Sequence, residues 1–311
     1  MAVVPGTDSD VFPLCLGGNV FGWTADEVAS FEVLDAFRAA GGNFIDTADS
    51  YSAFAEGNVG GESETIIGDW LTTRRNRDDM VIATKVGKLR TRSGLGADNV
   101  RTALDESLTR LQTDRVDLYY AHTDDRATPL EEWLSVFDAV VKAGKARAIG
   151  LSNFTAERVE EVLTVCAREG FVAPVALQPH YSLVHREEYE GELREACERG
   201  GLACVPYWAL ASGFLTGKYR PGVSVDSPRA GRASSYLDDP RAEGLLAVLD
   251  ETAAAHAVPV ASVAIAWLRA RPTVLAPIAS ARNGAQLAES LPGATLELSA
   301  GELERLTDAW S

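Results

Sequence analysis

The 311-residue chain predicts an α/β fold of one domain, a (β/α)8 TIM barrel. Three features carry that reading. Eight short apolar or β-branched runs alternate with stretches whose apolar residues recur at helical spacing. Early units follow one another at about forty residues, the length that one strand, one helix and two loops use in such a barrel. The GxGxxG turn of a doubly wound dinucleotide sheet is missing after the first run. Its nearest match, Gly17-Gly18-Asn19-Val20-Phe21-Gly22, lacks the third-glycine spacing and opens no helix at once.

The elements follow in order. Residues 12–17 read as the first strand. A helix over 26–40 follows, with Val28, Phe31, Leu34 and Phe37 at helical spacing, and Gly41-Gly42 stops it. The second strand spans 43–46 and its helix 62–71. The third spans 81–84, followed by a helix over 98–111 with Asp98 as its N-cap. Next come a strand at 116–121 and a helix at 129–143, with Pro129 in its first turn. The fifth and sixth strands, 146–151 and 175–178, precede helices at 156–168 and 189–199. The seventh strand covers 202–206. Helices over 241–255 and 260–270 then lead to the last strand at 274–277. Residues 213–239 are rich in Gly, Pro, Ser and Arg, without sustained periodicity. So long a loop on the active-site rim of a barrel reads as a mobile flap over a ligand.

Composition narrows the function. Asp and Glu outnumber Lys and Arg by 45 to 29, a formal net charge of −16. Such a field argues against nucleic acid and anionic membranes as partners. A local cationic pocket could still hold an anionic ligand. Cys15, Cys166, Cys197 and Cys204 show no CxxC spacing, so they read as reduced thiols, and no metal is predicted. The first residues lack a secretory pattern, and no apolar run approaches the ~20 residues of a membrane span. A cytoplasmic protein is predicted.

Four residues supply a chemistry. Asp46 ends the second strand, Tyr51 lies in the loop after it, Lys85 closes the third strand and His122 the fourth. Barrel active sites form at the carboxyl ends of strands, so these four side chains should meet at one rim. Singly, Asp46 could be a turn residue, Tyr51 a packed ring and His122 a satisfied structural histidine. A lysine closing an apolar strand is rarer. Together they are the parts of a proton donor to a carbonyl oxygen. An ordinary phenol, with a pKa near ~10, is a reluctant acid. A neighbouring Lys85 ammonium would lower that pKa, and His122 would hydrogen-bond the same oxygen. Asp46 would pair with Lys85 and keep it charged.

Read with their neighbours, these residues resemble the aldo-keto reductases over essentially the whole chain. The likeness rests on Gly42-Asn43-Phe44-Ile45-Asp46-Thr47-Ala48 through Tyr51, Gly61-Glu62-Ser63-Glu64, Thr84-Lys85, and Asp117-Leu118-Tyr119 with His122. Gly144-Lys145 through Ser152-Asn153-Phe154 adds to it. The resemblance implies reduction of small-molecule aldehydes and ketones with NADPH as cofactor and Tyr51 as general acid. It implies that Ser152, Asn153 and Gln178 hydrogen-bond the nicotinamide carboxamide while Tyr207 stacks on its ring. Leu210, Gly213, Leu215 and Lys218 would cradle the pyrophosphate through backbone N–H groups and a cation. Ser280, Arg282 and Gln286 open a helix whose free N–H groups would serve an anion, with Arg282 favouring the 2′-phosphate. The chain departs from the family at Tyr207-Trp208-Ala209-Leu210, where Tyr-Ser-Pro-Leu is frequent.

Phe21, Trp23 and Trp208 would line an apolar mouth above Tyr51. No long segment follows the final helical stretch at 302–310, so an open pocket for aromatic or medium-sized carbonyl compounds is expected. Two other classes are consistent with the barrel. A Schiff-base aldolase would use a free Lys85 amine as nucleophile. A non-catalytic subunit sensing the nicotinamide nucleotide would hold it without turnover.

Overall fold

The computed structural model describes residues 2–311. Eight parallel strands form one curved sheet: β1 Cys15–Gly17, β2 Phe44–Asp46, β3 Val81–Val86, β4 Val116–Ala121, β5 Ala146–Ser152, β6 Ala176–Gln178, β7 Ala203–Cys204 and β8 Ile278–Ala279. Neighbours pair in chain order, and β8 returns to pair with β1. The remaining seam closes through a bridge between Cys204 and Val274. Beside it, Leu275 N–H donates to Cys204 O at 2.8 Å and Ile278 N–H to Pro206 O at 2.9 Å. The predicted barrel is the observed one.

Several strand boundaries differ from expectation: β7 is shorter than 202–206 and β3 longer than 81–84. In the first and last strands the reason is the want of a ladder donor. The last strand pairs regularly at Ile278–Ala279 and not over 274–277, because Pro277 has no N–H to give. Its carbonyl instead accepts from Cys15 N–H at 2.9 Å. The first strand begins at Cys15 because Pro13 interrupts it, and Phe12 N–H turns to Asn43 Oδ1 at 2.8 Å.

Strand alternation sorts the core into two layers. Cys15, Phe44, Val81, Ala83, Leu118, Tyr120, Ala148, Ala176 and Val205 fill the barrel interior. Ile45, Ile82, Tyr119, Ile149 and Leu177 face outward onto the helices. A hairpin too short to show periodicity, Ala2–Val3 with Asp10–Val11, adds Val4 and Val11 to the interior layer. At Gly150 a Cβ would lie 2.3 Å from the Tyr120 ring, so only glycine lets that ring fill the barrel.

The helices wrap the sheet: α1 Glu27–Ala39, α2 Glu62–Arg74, α3 Ala97–Leu111, α4 Leu130–Lys142, α5 Ala156–Glu169, α6 Glu192–Gly200, α7 Ala242–His256, α8 Val260–Arg269, α9 Gly284–Ser290 and α10 Ala300–Asp308. Helix α1 buries Val33, Leu34 and Phe37 but leaves Val28 exposed, so its apolar face is narrower than predicted. Asp98 does not cap α3. The helix starts after Gly96, which puts Asp98 inside the first turn, where its charge favours the helix dipole. No single described helix is long and apolar enough to cross a membrane.

The segment after β7 is not structureless. It holds a 3-10 stretch at Ala211–Thr216, a helix at Ala230–Ser234 and a further 3-10 turn at Ser235–Asp238, all too short to carry a periodicity. Phe214 stacks on Tyr236 at 5.2 Å, and Trp310 packs against both rings.

Candidate active site

The interior parity of each strand continues past its end. Phe44 points inward, so Asp46 does too; Val81 and Ala83 are followed by Lys85, and Leu118 and Tyr120 by His122. Gln178 follows Ala176, Ser152 follows Ala148 and Gly150, and Tyr207 follows Val205 by the same count. One rim thus receives side chains from six successive strands, β2 to β7.

Lys85 and Asp46 are fully enclosed, with Lys85 Nζ 2.6 Å from Asp46 Oδ2. The ammonium also donates to Thr47 O at 2.8 Å and to the Tyr51 hydroxyl at 2.7 Å, which uses all three of its protons. Tyr51 in turn donates to Asp46 Oδ2 at 2.8 Å. The His122 ring stands edge-on to Tyr51, centroids 6.0 Å apart, and its Nδ1 lies 3.4 Å from Ser50 Oγ. All four predicted catalytic residues come together.

The protonation of the site differs from expectation. Tyr51 is pushed well above the ordinary phenol range, first by burial and then by the Asp46 carboxylate beside it. Proximity of the ammonium does not overcome enclosure. Lys85 is held below its usual range by burial, against the pull of Asp46. His122 is held well below its ordinary value by burial and by Lys85 and Lys88, so its imidazole is neutral.

Above Tyr51 and His122 opens a cavity of about 380 Å³, within the size range of small-molecule sites. Ser152, Asn153, Gln178 and Tyr207 line it, together with Leu210, Gly213, Lys218, Ser280, Arg282 and Gln286 and with Trp23 and Trp208. A family model described as "Aldo/keto reductase family" matches residues 13–311. The chain belongs to the aldo/keto reductase family. It is 32% identical to an aryl-alcohol dehydrogenase of Pestalotiopsis microspora, over 98% of this chain and 80% of that protein. It is also 32% identical to Protein tas of Escherichia coli (strain K12), over 95% and 93%. With norsolorinic acid reductase of Aspergillus flavus it shares 30%, over 96% and 78%. An aldo/keto reductase is an oxidoreductase that reduces carbonyl groups with a nicotinamide cofactor.

Several expected contacts are arranged otherwise in this reductase. Phe21 is fully buried in the outer core, because the turn after β1 folds it inward, and it does not face the cavity. Leu215 is also buried in that core, and its N–H, like that of Gly213, donates to Leu210 O. Those two amides are therefore already occupied. At the start of α9, Arg282 N–H donates to Gln286 Oε1 at 3.1 Å and Gln286 N–H to Asn283 Oδ1 at 3.0 Å. The Arg282 guanidinium, not the helix start, is the available anion group. Gln178 donates its side-chain amide to Asp46 Oδ1 at 2.8 Å, so it braces the Asp46 carboxylate as well as lining the cavity.

The residues present fit a dinucleotide. Lys218, Arg229 and Arg282 line the cavity, and none forms an ion pair among the described residues. Their mutual repulsion shows in their acidity: burial and then Arg282 push Arg229 down, and burial, then Arg282, push Lys218 down. Three cations without an ion-pair partner, facing only Glu289 among the acidic residues that line the cavity, suit a set of phosphates. At the other end, the Tyr207 hydroxyl donates to Asn153 Oδ1 at 2.7 Å, holding an aromatic face beside two amides. Asn153, Trp208, Ala211 and Ser212 all adopt left-handed backbone, a cost that non-glycine residues bear at binding sites. Arg229 and Lys88, both cavity-lining, escaped the sequence reading. The Arg content of residues 213–239 was the available signal for the first.

Proposed function

We propose that the protein is an NADPH-dependent reductase of aromatic and medium-sized aldehydes and ketones, with Tyr51 as proton donor. The observation that carries this reading is the Tyr51 hydroxyl, 2.7 Å from the Lys85 ammonium and facing the cavity beside His122. When bound, the nicotinamide supplies a hydride to the carbonyl carbon. Tyr51 gives its proton to the carbonyl oxygen. A phenol held above its ordinary range keeps that proton across the physiological range, and an oxygen gaining alkoxide character is a stronger base than phenolate. Lys85, already oriented, stabilises the phenolate left behind. Neutral His122 orients the carbonyl oxygen, and Asp46, braced by Gln178, fixes Lys85.

Ser152, Asn153 and Gln178 hold the carboxamide, Tyr207 backs the ring, and Lys218, Arg229 and Arg282 hold the phosphates. Arg282 prefers the 2′-phosphate, hence NADPH. Trp23 and Trp208 favour flat aromatic substrates, in keeping with relatives named for an aryl alcohol and for norsolorinic acid. The Schiff-base reading loses its footing because all three Lys85 protons are engaged. The test is a panel of aryl aldehydes, ketones and aliphatic aldehydes with NADPH, followed by loss of the reduced-nicotinamide absorbance. Carbonyl-dependent oxidation with equimolar alcohol is expected. Tight NADPH binding with no turnover on any carbonyl would overturn the proposal in favour of a nucleotide-sensing subunit.

A further inference from the structure

Behind the Tyr207 ring lies a second cleft, lined by His180, Glu187, Glu188, Glu190, Glu192 and Tyr207 and separate from the catalytic side chains. His180, on its wall, meets His185, a second of the protein's four histidines. The Ser182 and His185 backbones exchange hydrogen bonds of 3.1 Å each, a tight turn that folds His185 back over His180. Their rings stack with centroids 3.5 Å apart and planes 12° from parallel. Glu188 Oε1 lies 3.2 Å from His185 Nε2. One ligand atom from each of the three residues lies within 4.8 Å of the others.

The nitrogens are enclosed but unsatisfied. His180 Nε2 and His185 Nε2 have no hydrogen-bond partner among the described residues, and the approach of Glu188 lacks hydrogen-bond alignment. A buried polar atom left without a partner costs free energy. A neutral imidazole offers a lone pair to a metal ion. The acidic walls of the cleft favour a cation.

We propose that His180, His185 and Glu188 form a binding site for a divalent metal ion of intermediate softness, with Zn²⁺ the best match. Two imidazoles and a carboxylate are a zinc-type donor set and leave a fourth position open to water. Parallel rings aim their lone pairs side by side, so binding tilts the imidazoles apart to converge on one centre. The site backs the wall of the catalytic cavity. His180 stacks on Tyr207 at 5.5 Å, meets Trp208 edge-on at 4.7 Å, and pairs with the Tyr207 backbone.

The experiment titrates untagged, full-length protein with Co²⁺, read by its visible absorption, and then displaces it with Zn²⁺. One equivalent of Co²⁺ with the bands of imidazole and carboxylate coordination is expected, displaced by Zn²⁺. His180→Gln and His185→Gln should each weaken binding by roughly tenfold or more. His256→Gln, whose ring pairs elsewhere with Glu302 at 2.7 Å, should leave it unchanged. Near-ultraviolet circular dichroism checks that each variant is folded. Absence of stoichiometric binding, or binding that persists in the folded double variant His180→Gln/His185→Gln, overturns the proposal and leaves the pair as a packed aromatic stack.

Discussion

Asp49 lies between Asp46 and Tyr51, fully buried, and neither carboxylate oxygen has a partner among the described residues. Burial, and then the charge of Glu64, raise it to about 7. In the unfolded chain it would titrate near ~3.9. Between those values the folded protein binds more protons than the unfolded one. Stability from this group is therefore present at low pH, falls as pH rises through the window, and is a net cost above it. Asp49→Asn should stabilise the protein by about 1–3 kcal/mol near pH ~8, an advantage that shrinks towards pH ~4. Urea denaturation at the two pH values reads it, and an equal difference at both would refute it. Arg282→Ala belongs to the same scale. It should weaken NADPH binding by about 2–4 kcal/mol and NADH by far less. Equal losses would put the 2′-phosphate elsewhere. Asp46, Lys85 and His122 were legible in the sequence because strand alternation fixes which side chains enter a barrel. The acidity of Tyr51 was not, because its direction depends on enclosure, which spacing along the chain does not report.

Helices α2 and α3 meet where Gly68 lies, and a Cβ there would sit 2.1 Å from the Arg110 carbonyl oxygen. Backbone cannot yield as a side-chain tip can. Gly68→Ala should therefore destabilise the fold by about 1–3 kcal/mol, read as a lowered denaturation midpoint with unchanged slope. Nearby, Arg110 pairs with buried Glu64, which also accepts a short hydrogen bond from Thr84, so the strain would reach β3. Long amphipathic helices and continuous apolar strands were readable from periodicity. Two-residue strands, the turns after β7 and the inward fold of Phe21 were not, since each is set by tertiary packing over too few residues to leave a pattern.

At the scale of the whole molecule, a chain of net charge −16 encloses a cavity lined by unpaired Lys218, Arg229 and Arg282. The local field opposes the global one. Affinity for NADPH should weaken as salt rises from about 0.05 to 0.5 M, because phosphate binding displaces anions from those cations. Titration by nucleotide fluorescence reads this, and a salt-independent affinity would contradict a cationic phosphate site. Composition showed the acidic surface, but only folding gathers three cations from separate segments. The most direct measurement is the turnover of Tyr51→Phe with NADPH and an aryl aldehyde, taken with its NADPH dissociation constant. Loss of the phenolic proton should lower kcat by about 10²–10⁴-fold while nucleotide binding stays near that of the wild type. A variant that reduces the aldehyde within a few-fold of the wild-type rate would contradict Tyr51 as the acid.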